Sequence, residues 1–199
     1  MHLNKDVEGI RKPNYEIDSI FVNRWSARAM SGEEMSNDEL MPLFEAARWA
    51  PSASNAQEWR FVFAKRNTSN WKKFFGLLAD GNKVWAKNAS VLVVVVSRKT
   101  MEYKEKPAPT HSFDTGAAWM SLALEGTKRN YVIHAMAGFD YEKAGKVIGL
   151  SEKYAVEAMV AIGKKGKKEN LPEALLEKEK PSIRKELEEI AFEGKMNKN

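Results

Sequence analysis

Arg24 and Arg28 stand four residues apart with Ser26 between them, in the stretch RWSAR. Guanidinium forks meet phosphate oxygens two bonds at a time, and each bond is charge-assisted. The same spacing also suits two solvated surface charges. A second stretch, WAPSASNAQEWRFV, places Pro51, Ser52, Ala53, Asn55 and Gln57 between a helix-like run and a strand-like run, with no glycine. Hydroxyls and amides both donate and accept hydrogen bonds, as the edge of a heteroaromatic ligand requires. A turn that caps its own backbone draws on the same residue types. In the third stretch, HAMAGF, residues Ala135, Met136, Ala137 and Gly138 would let main chain approach a flat ligand and offer it free N–H groups. A plain strand-to-helix connection has that composition too. The fourth, Ser182 to Lys185, puts Arg184 and Lys185 at an expected helix start. A helix N-terminus already favours anions, although a solvated basic helix reads alike.

The rest of the composition narrows the chemistry. There is no cysteine, which excludes disulfides, thiol nucleophiles and thiolate metal sites, so redox work would fall to a cofactor. The histidines His2, His111 and His134 are too scattered in sequence to suggest a metal site. Lys and Arg total 32 against 27 acidic residues, and the charges are interspersed, so no nucleic-acid partner is expected. The lysine run KKGKK (164–168) reads as solvated surface. The apolar run Val91 to Val96 is far too short to span a bilayer, and the N-terminus lacks an apolar signal core. The expectation is a cytoplasmic protein without a membrane partner.

A length of 199 residues suits one domain over 1–199, with a charged extension from about 164. Periodicity predicts helices over 14–22, from Ser36 to about Trp49, over 69–78, 112–130 and 141–148, and from Pro181. Ser36 with Glu39 forms a capping box signature. Strands are expected over 58–64, 91–96, 131–134 and 154–162, the second buried on both faces because it is continuously apolar. The polar stretch 98–110 reads as a loop. The first half of helix 112–130 is apolar nearly all round, which suits burial against a second copy across a two-fold axis or a central place in a monomer. The class is α/β or α+β around one sheet.

The order of these segments resembles the nitroreductase family of FMN-dependent oxidoreductases. The resemblance runs from RWSAR through APSASNAQEWRF, DTGAA in the long helix and AGF to Arg184, about residues 20–190. It departs from the family at Glu58, where proline is usual, and at Ala135–Ala137, where many members have proline or a second glycine. It implies an α+β fold with a mixed four- to five-stranded sheet, intertwined as a homodimer, with FMN at the subunit interface. It implies that Arg24 and Ser26, with the adjoining Trp25, meet the phosphate and ribityl chain. Arg28 would lie near N1 and the C2 carbonyl. Pro51, Ser52, Ala53, Asn55 and Gln57 would form the loop reaching FMN held mainly by the other subunit. Ala135 to Gly138 would lie along the ring with an N–H aimed at N5, and Arg184 with Lys185 would complete the phosphate site in the C-terminal extension. The implied activity is ping-pong hydride transfer from NADH or NADPH to a small electron-poor acceptor such as a nitroaromatic or quinone. The implied chemistry is the cofactor's, with no metal and no catalytic side chain. A non-catalytic FMN-binding, storage or redox-sensing protein would share every ligand, and a dimer that had lost its cofactor would share the fold.

Overall fold

The computed structural model describes residues 2–103 and 105–196. Position 104 of the expected loop and the extreme ends of the 1–199 domain lie outside the described residues. The chain runs α1 (Ser19–Asn23), α2 (Asn37–Arg48), β1 (Trp59–Lys65), α3 (Ser69–Phe75), α4 (Asp80–Ala86), β2 (Val91–Arg98), α5 (His111–Lys128), β3 (Tyr131–Met136), α6 (Tyr141–Val147), β4 (Tyr154–Lys164) and α7 (Glu173–Leu176). Four strands form one sheet in the order β1-β2-β4-β3. Every pairing is antiparallel, where a mixed sheet was expected. The reason is insertion: β2 and β3 run the same way, but β4 lies between them and opposes both. The fold is α+β.

The β-branched run becomes β2, at the centre of the molecule. Val91, Val93 and Val95 join a core with Leu40, Leu43, Ala118 and Leu122 from α2 and α5. Leu92, Val94 and Val96 face the opposite core with Phe74, Trp85 and Ala144 from α3, α4 and α6. Full burial of each such side chain contributes about 1.5–3 kcal/mol, so β2 anchors both layers. The capping box forms as expected, and the residue before Pro51 lies outside the helix.

Several boundaries differ from the sequence reading. Helix 14–22 shrinks to Ser19–Asn23, because the Asp18 side chain accepts the Ile20 N–H and starts the helix there. Ile17 and Phe21 find no core and remain exposed. Helix 69–78 stops at Phe75, and a separate α4 follows. The strand starting at Tyr131 continues to Met136, so only Ala137 to Asp140 remain of the expected turn. β4 passes through Gly163 instead of ending there, because Gly163 and Lys164 still pair with Val132 and Tyr131 of β3. No helix starts at Pro181. Residues 181–186 are irregular, and Ile183 and Ile190 are exposed, leaving no buried stripe to stabilise a short helix. In this single chain the first half of α5 buries Ala118 but leaves Phe113 80% exposed. No helix among the described residues is long and apolar enough to cross a membrane.

Candidate functional site

The RWSAR segment leaves α1 and is pinned from below by β3. His134 Nδ1 bonds the Ala27 carbonyl at 2.8 Å while its ring packs on buried Trp85, centroids 4.5 Å apart. Burial pushes the imidazole down to about 4, against the pull of the Ala27 and Ser26 carbonyls and with a further push from Arg28 and Arg24. The ring is therefore neutral near pH 7. From the tail, the Glu179 carboxylate accepts the N–H groups of Arg28 and Ala29, each at 2.8 Å. Arg28 also turns its guanidinium toward this tail, 3.3 Å from the Lys178 carbonyl and 3.9 Å from Glu179. Its Nε and Nη2 donate to no group among the described residues.

Arg24 meets two other guanidinium groups. Arg11 donates to the carbonyls of Val22 and Arg24 at 2.7 and 2.8 Å and to that of Ser182 at 2.8 Å, tying the N-terminal segment to the tail. Burial, then Arg184, then Arg24 lower its pKa to about 10. Burial and Arg184 also lower that of Arg24. Arg24 Nη1 reaches the Ser26 hydroxyl only at 3.5 Å, and Arg184 donates to Ser182 Oγ at 2.8 Å. Among the described residues no carboxylate pairs with Arg11, Arg24 or Arg184. Arg11 and Arg24, both partly desolvated, lie near the exposed Arg184, an arrangement suited to an anion. Lys185 instead lies 3.7 Å from Glu189. A groove of about 520 Å³ adjoins the cluster, lined by Arg11, Arg184 and apolar Ile17, Phe21 and Ile183.

The 51–57 loop is held from α5. Asp114, 5% exposed, accepts the Ala53 N–H at 3.0 Å and the Thr110 hydroxyl at 2.9 Å. Self-capping is present: the Ser52 hydroxyl accepts the Gln57 N–H at 3.0 Å, and Gln57 Nε2 returns to the Asn55 carbonyl at 3.0 Å. Yet Ser54, Asn55 and Gln57 adopt φ of 52°, 54° and 50°, the left-handed region, without one glycine. Non-glycine residues there carry strain that clusters at ligand sites. The Ser54 hydroxyl and the Asn55 amide side chain have no partner among the described residues. Glu58 follows, 1% exposed, with both carboxylate oxygens unpaired among those residues.

At the end of β3, the Gly138 carbonyl accepts the Ala79 N–H at 3.0 Å and Asn82 Nδ2 at 2.9 Å. A Cβ on Gly138 would stand 2.8 Å from Asn82 Nδ2, so the loop fits only glycine without a shift. The N–H groups of Ala137 and Gly138 donate to nothing among the described residues. Ala135 and Met136 lie inside β3 instead of in this loop, and the Met136 side chain is in the core.

Residues 22–84 match the model of the nitroreductase family. A solved structure described as an oxidoreductase containing FMN is 44% identical, covers 95% of this chain and 97% of its own, and superposes with a TM-score of 0.90. The chain belongs to the nitroreductase family. An uncharacterised 15.4 kDa protein of Mycolicibacterium smegmatis is 35% identical over 121 residues, 60% of this chain and 80% of that protein. A Bacillus subtilis (strain 168) protein whose name includes NAD(P)H nitroreductase is 23% identical over 167 residues, 66% of this chain and 79% of its own.

In this nitroreductase-family chain, Arg24 lies near Arg184, and His134 of β3 reaches the RWSAR loop at the Ala27 carbonyl. Pro51 to Gln57 lie elsewhere, on the side of the sheet packed by α5. Arg11, Asn82, Asp114 and Glu179 were missed as site residues. Arg11 sits in IRKPN, which has no spacing to distinguish it from a surface charge. Asp114 lies in the DTGAA block, and that block was its one available signal.

Proposed function

We propose that this chain is an FMN-dependent oxidoreductase that takes hydride from NADH or NADPH and passes it to an electron-poor acceptor such as a nitroaromatic or quinone. The observation that carries the reading is the Arg11–Arg24–Arg184 cluster, which among the described residues has no carboxylate partner, together with the Ala137 and Gly138 N–H groups, which donate to nothing among those residues, at the end of the strand whose His134 holds the RWSAR loop. That pairing fits FMN: a dianionic phosphate at one end and a ring with acceptor atoms at the other. FMN, when bound, would supply two-electron exchange with the nicotinamide and then with the acceptor. Arg24 and Arg184 would hold the phosphate, with Ser26 and Trp25 along the ribityl chain. The free donors of Arg28 would favour negative charge near N1, and Gly138 would let the backbone approach N5.

A second copy of the chain would complete the site. Phe113, on a helix with an apolar first half, is exposed, and Ser54 and Asn55 present polar side-chain groups unpaired among the described residues. Pairing two copies through α5 would cover the first and bring the second to the partner's ligand.

The experiment is flavin content. Purified wild-type protein is expected to carry FMN, and R24A/R184A to lose it. Equal FMN in both would refute the phosphate assignment. FMN that neither nucleotide reduces would leave a binding or sensing protein and remove the nicotinamide half of the reading.

A further inference from the structure

Arg11 is fixed at its own main chain before its side chain meets the arginine cluster. The Asn4 N–H donates to Asn23 Oδ1 at 2.8 Å, the Val7 N–H to the Asn4 carbonyl at 2.8 Å, and the Arg11 N–H to the Val7 carbonyl at 3.2 Å. Val7, with no exposed surface, anchors that turn.

The Arg11 side chain spans the two segments that carry Arg24 and Arg184. Nη1 donates to the Val22 carbonyl at 2.7 Å and to the carbonyl of Arg24 itself at 2.8 Å. Nε donates to the Ser182 carbonyl at 2.8 Å. Ser182 is also the residue that Arg184 grips: Arg184 Nη1 donates to Ser182 Oγ at 2.8 Å and to the Ile183 carbonyl at 3.0 Å. One chain of hydrogen bonds thus runs from the Arg24 main chain through Arg11 and Ser182 to the Arg184 guanidinium. Its acceptors are neutral, so it ties the segments together without cancelling positive charge. Such a tie is needed because like charges repel. Arg184 and Arg24 both help burial lower the Arg11 pKa to about 10, which leaves it a cation near pH 7. Arg24 keeps most of its donors, since its one side-chain bond among the described residues, to Ser26 Oγ, is 3.5 Å long. Nε and Nη2 of Arg184 donate to no group among those residues. Arg11 spends its donors on main chain, while the other two keep theirs for a ligand.

We propose that Arg11 is the positioning residue of the phosphate site, holding Arg24 and Arg184 to one anion and so setting the preference for FMN over a flavin without a phosphate. This rests on the FMN reading above. Arg11 acts through the other two arginines. A planar guanidinium fork reaches carbonyls on both segments at once, where the ammonium of a lysine is a single point. FMN and riboflavin differ only in the phosphate, so a fault in this arrangement falls on FMN alone.

The test titrates full-length protein with FMN and, separately, with riboflavin, reading bound flavin by fluorescence quenching. Wild type is expected to bind FMN more tightly. R11K keeps the charge and loses the fork, so it should weaken FMN binding about 10-fold, the scale of one hydrogen bond to a charged group, with riboflavin unchanged. S182A leaves all three Arg11 bonds available and releases Arg184, so it should lower FMN affinity with the same selectivity. In R11K/S182A the two losses should not add, since both break one chain. A wild-type ratio of FMN to riboflavin affinity in R11K would overturn the proposal. Equal weakening of both flavins, the mark of a purely structural tie, would overturn it too, as would full additivity in the double variant. Should R11K fail to fold, S182A decides: a selective loss of FMN supports the proposal, and a wild-type ratio overturns it. Wild-type protein that binds neither flavin, or both equally, would sink the phosphate assignment of the parent reading as well. Retained FMN preference in wild type and R11K alike would sink this proposal alone.

Discussion

Asp114 holds Ala53: a carboxylate on the first turn of α5 accepts the loop amide at 3.0 Å, in a site almost closed to solvent. One buried side chain thus connects the helix expected to face a second copy with the loop expected to reach that copy's ligand. D114A would leave the Ala53 amide and the Thr110 hydroxyl without their partner. An unmet buried group costs about 1–3 kcal/mol. The variant should unfold at lower urea by that amount and retain less FMN. Unchanged hydrogen exchange at Ala53 would contradict this.

Glu58 is expected to destabilise the fold. Both of its oxygens are buried without a partner among the described residues, a state that costs about 1–3 kcal/mol or more. E58L should raise the urea midpoint, while FMN retention stays as in wild type. A loss of stability on this substitution would mean that the carboxylate is satisfied after all.

His134 should make stability depend on pH. Its folded pKa, about 4, lies below the ordinary 6.5, so the unfolded chain takes up the proton first. The stabilising contribution is complete above about 6.5 and is lost as pH falls from there toward 4. The loss is on the order of 2–3 kcal/mol for a mostly buried ring. Urea midpoints measured across that window should drop in wild type and flatten in H134Q.

Gly166 makes the tightest backbone contact near the site. A Cβ there would lie 2.5 Å from Met30 C and 2.6 Å from Met30 O, atoms that cannot rotate away. Its N–H also donates to the Ala29 carbonyl at 2.9 Å, fixing the end of the RWSAR loop. G166A should lower stability by about 1–3 kcal/mol and weaken FMN retention, read by thermal melting with and without added FMN.

The sequence made β2, the capping box of α2 and the RWSAR and AGF loops legible, because each rests on a local rule. Continuous valine demands burial on both faces, and Ser36 with Glu39 demands a helix start. What could not be read depended on partners far along the chain. α4 opens with a glycine in its first turn and buries only Trp85 and Ala86, too little periodicity to see. The tail helix failed because its apolar residues have nothing to pack on. The sheet lost its parallel pairing when β4 inserted between β2 and β3, a tertiary choice. Arg11 joined Arg24 and Arg184 only through main-chain carbonyls from two distant segments. Glu58 drew notice as a departure from the family's proline, but its burial without a partner was visible only in three dimensions.

The most direct measurement is an anaerobic titration of the purified protein with NADH and, separately, NADPH, followed in the visible flavin band. The expected result is a bound FMN spectrum bleached by at least one nucleotide and restored on adding a nitroaromatic or quinone. A colourless protein, or bound FMN that neither nucleotide bleaches, would contradict hydride transfer as the function of this fold.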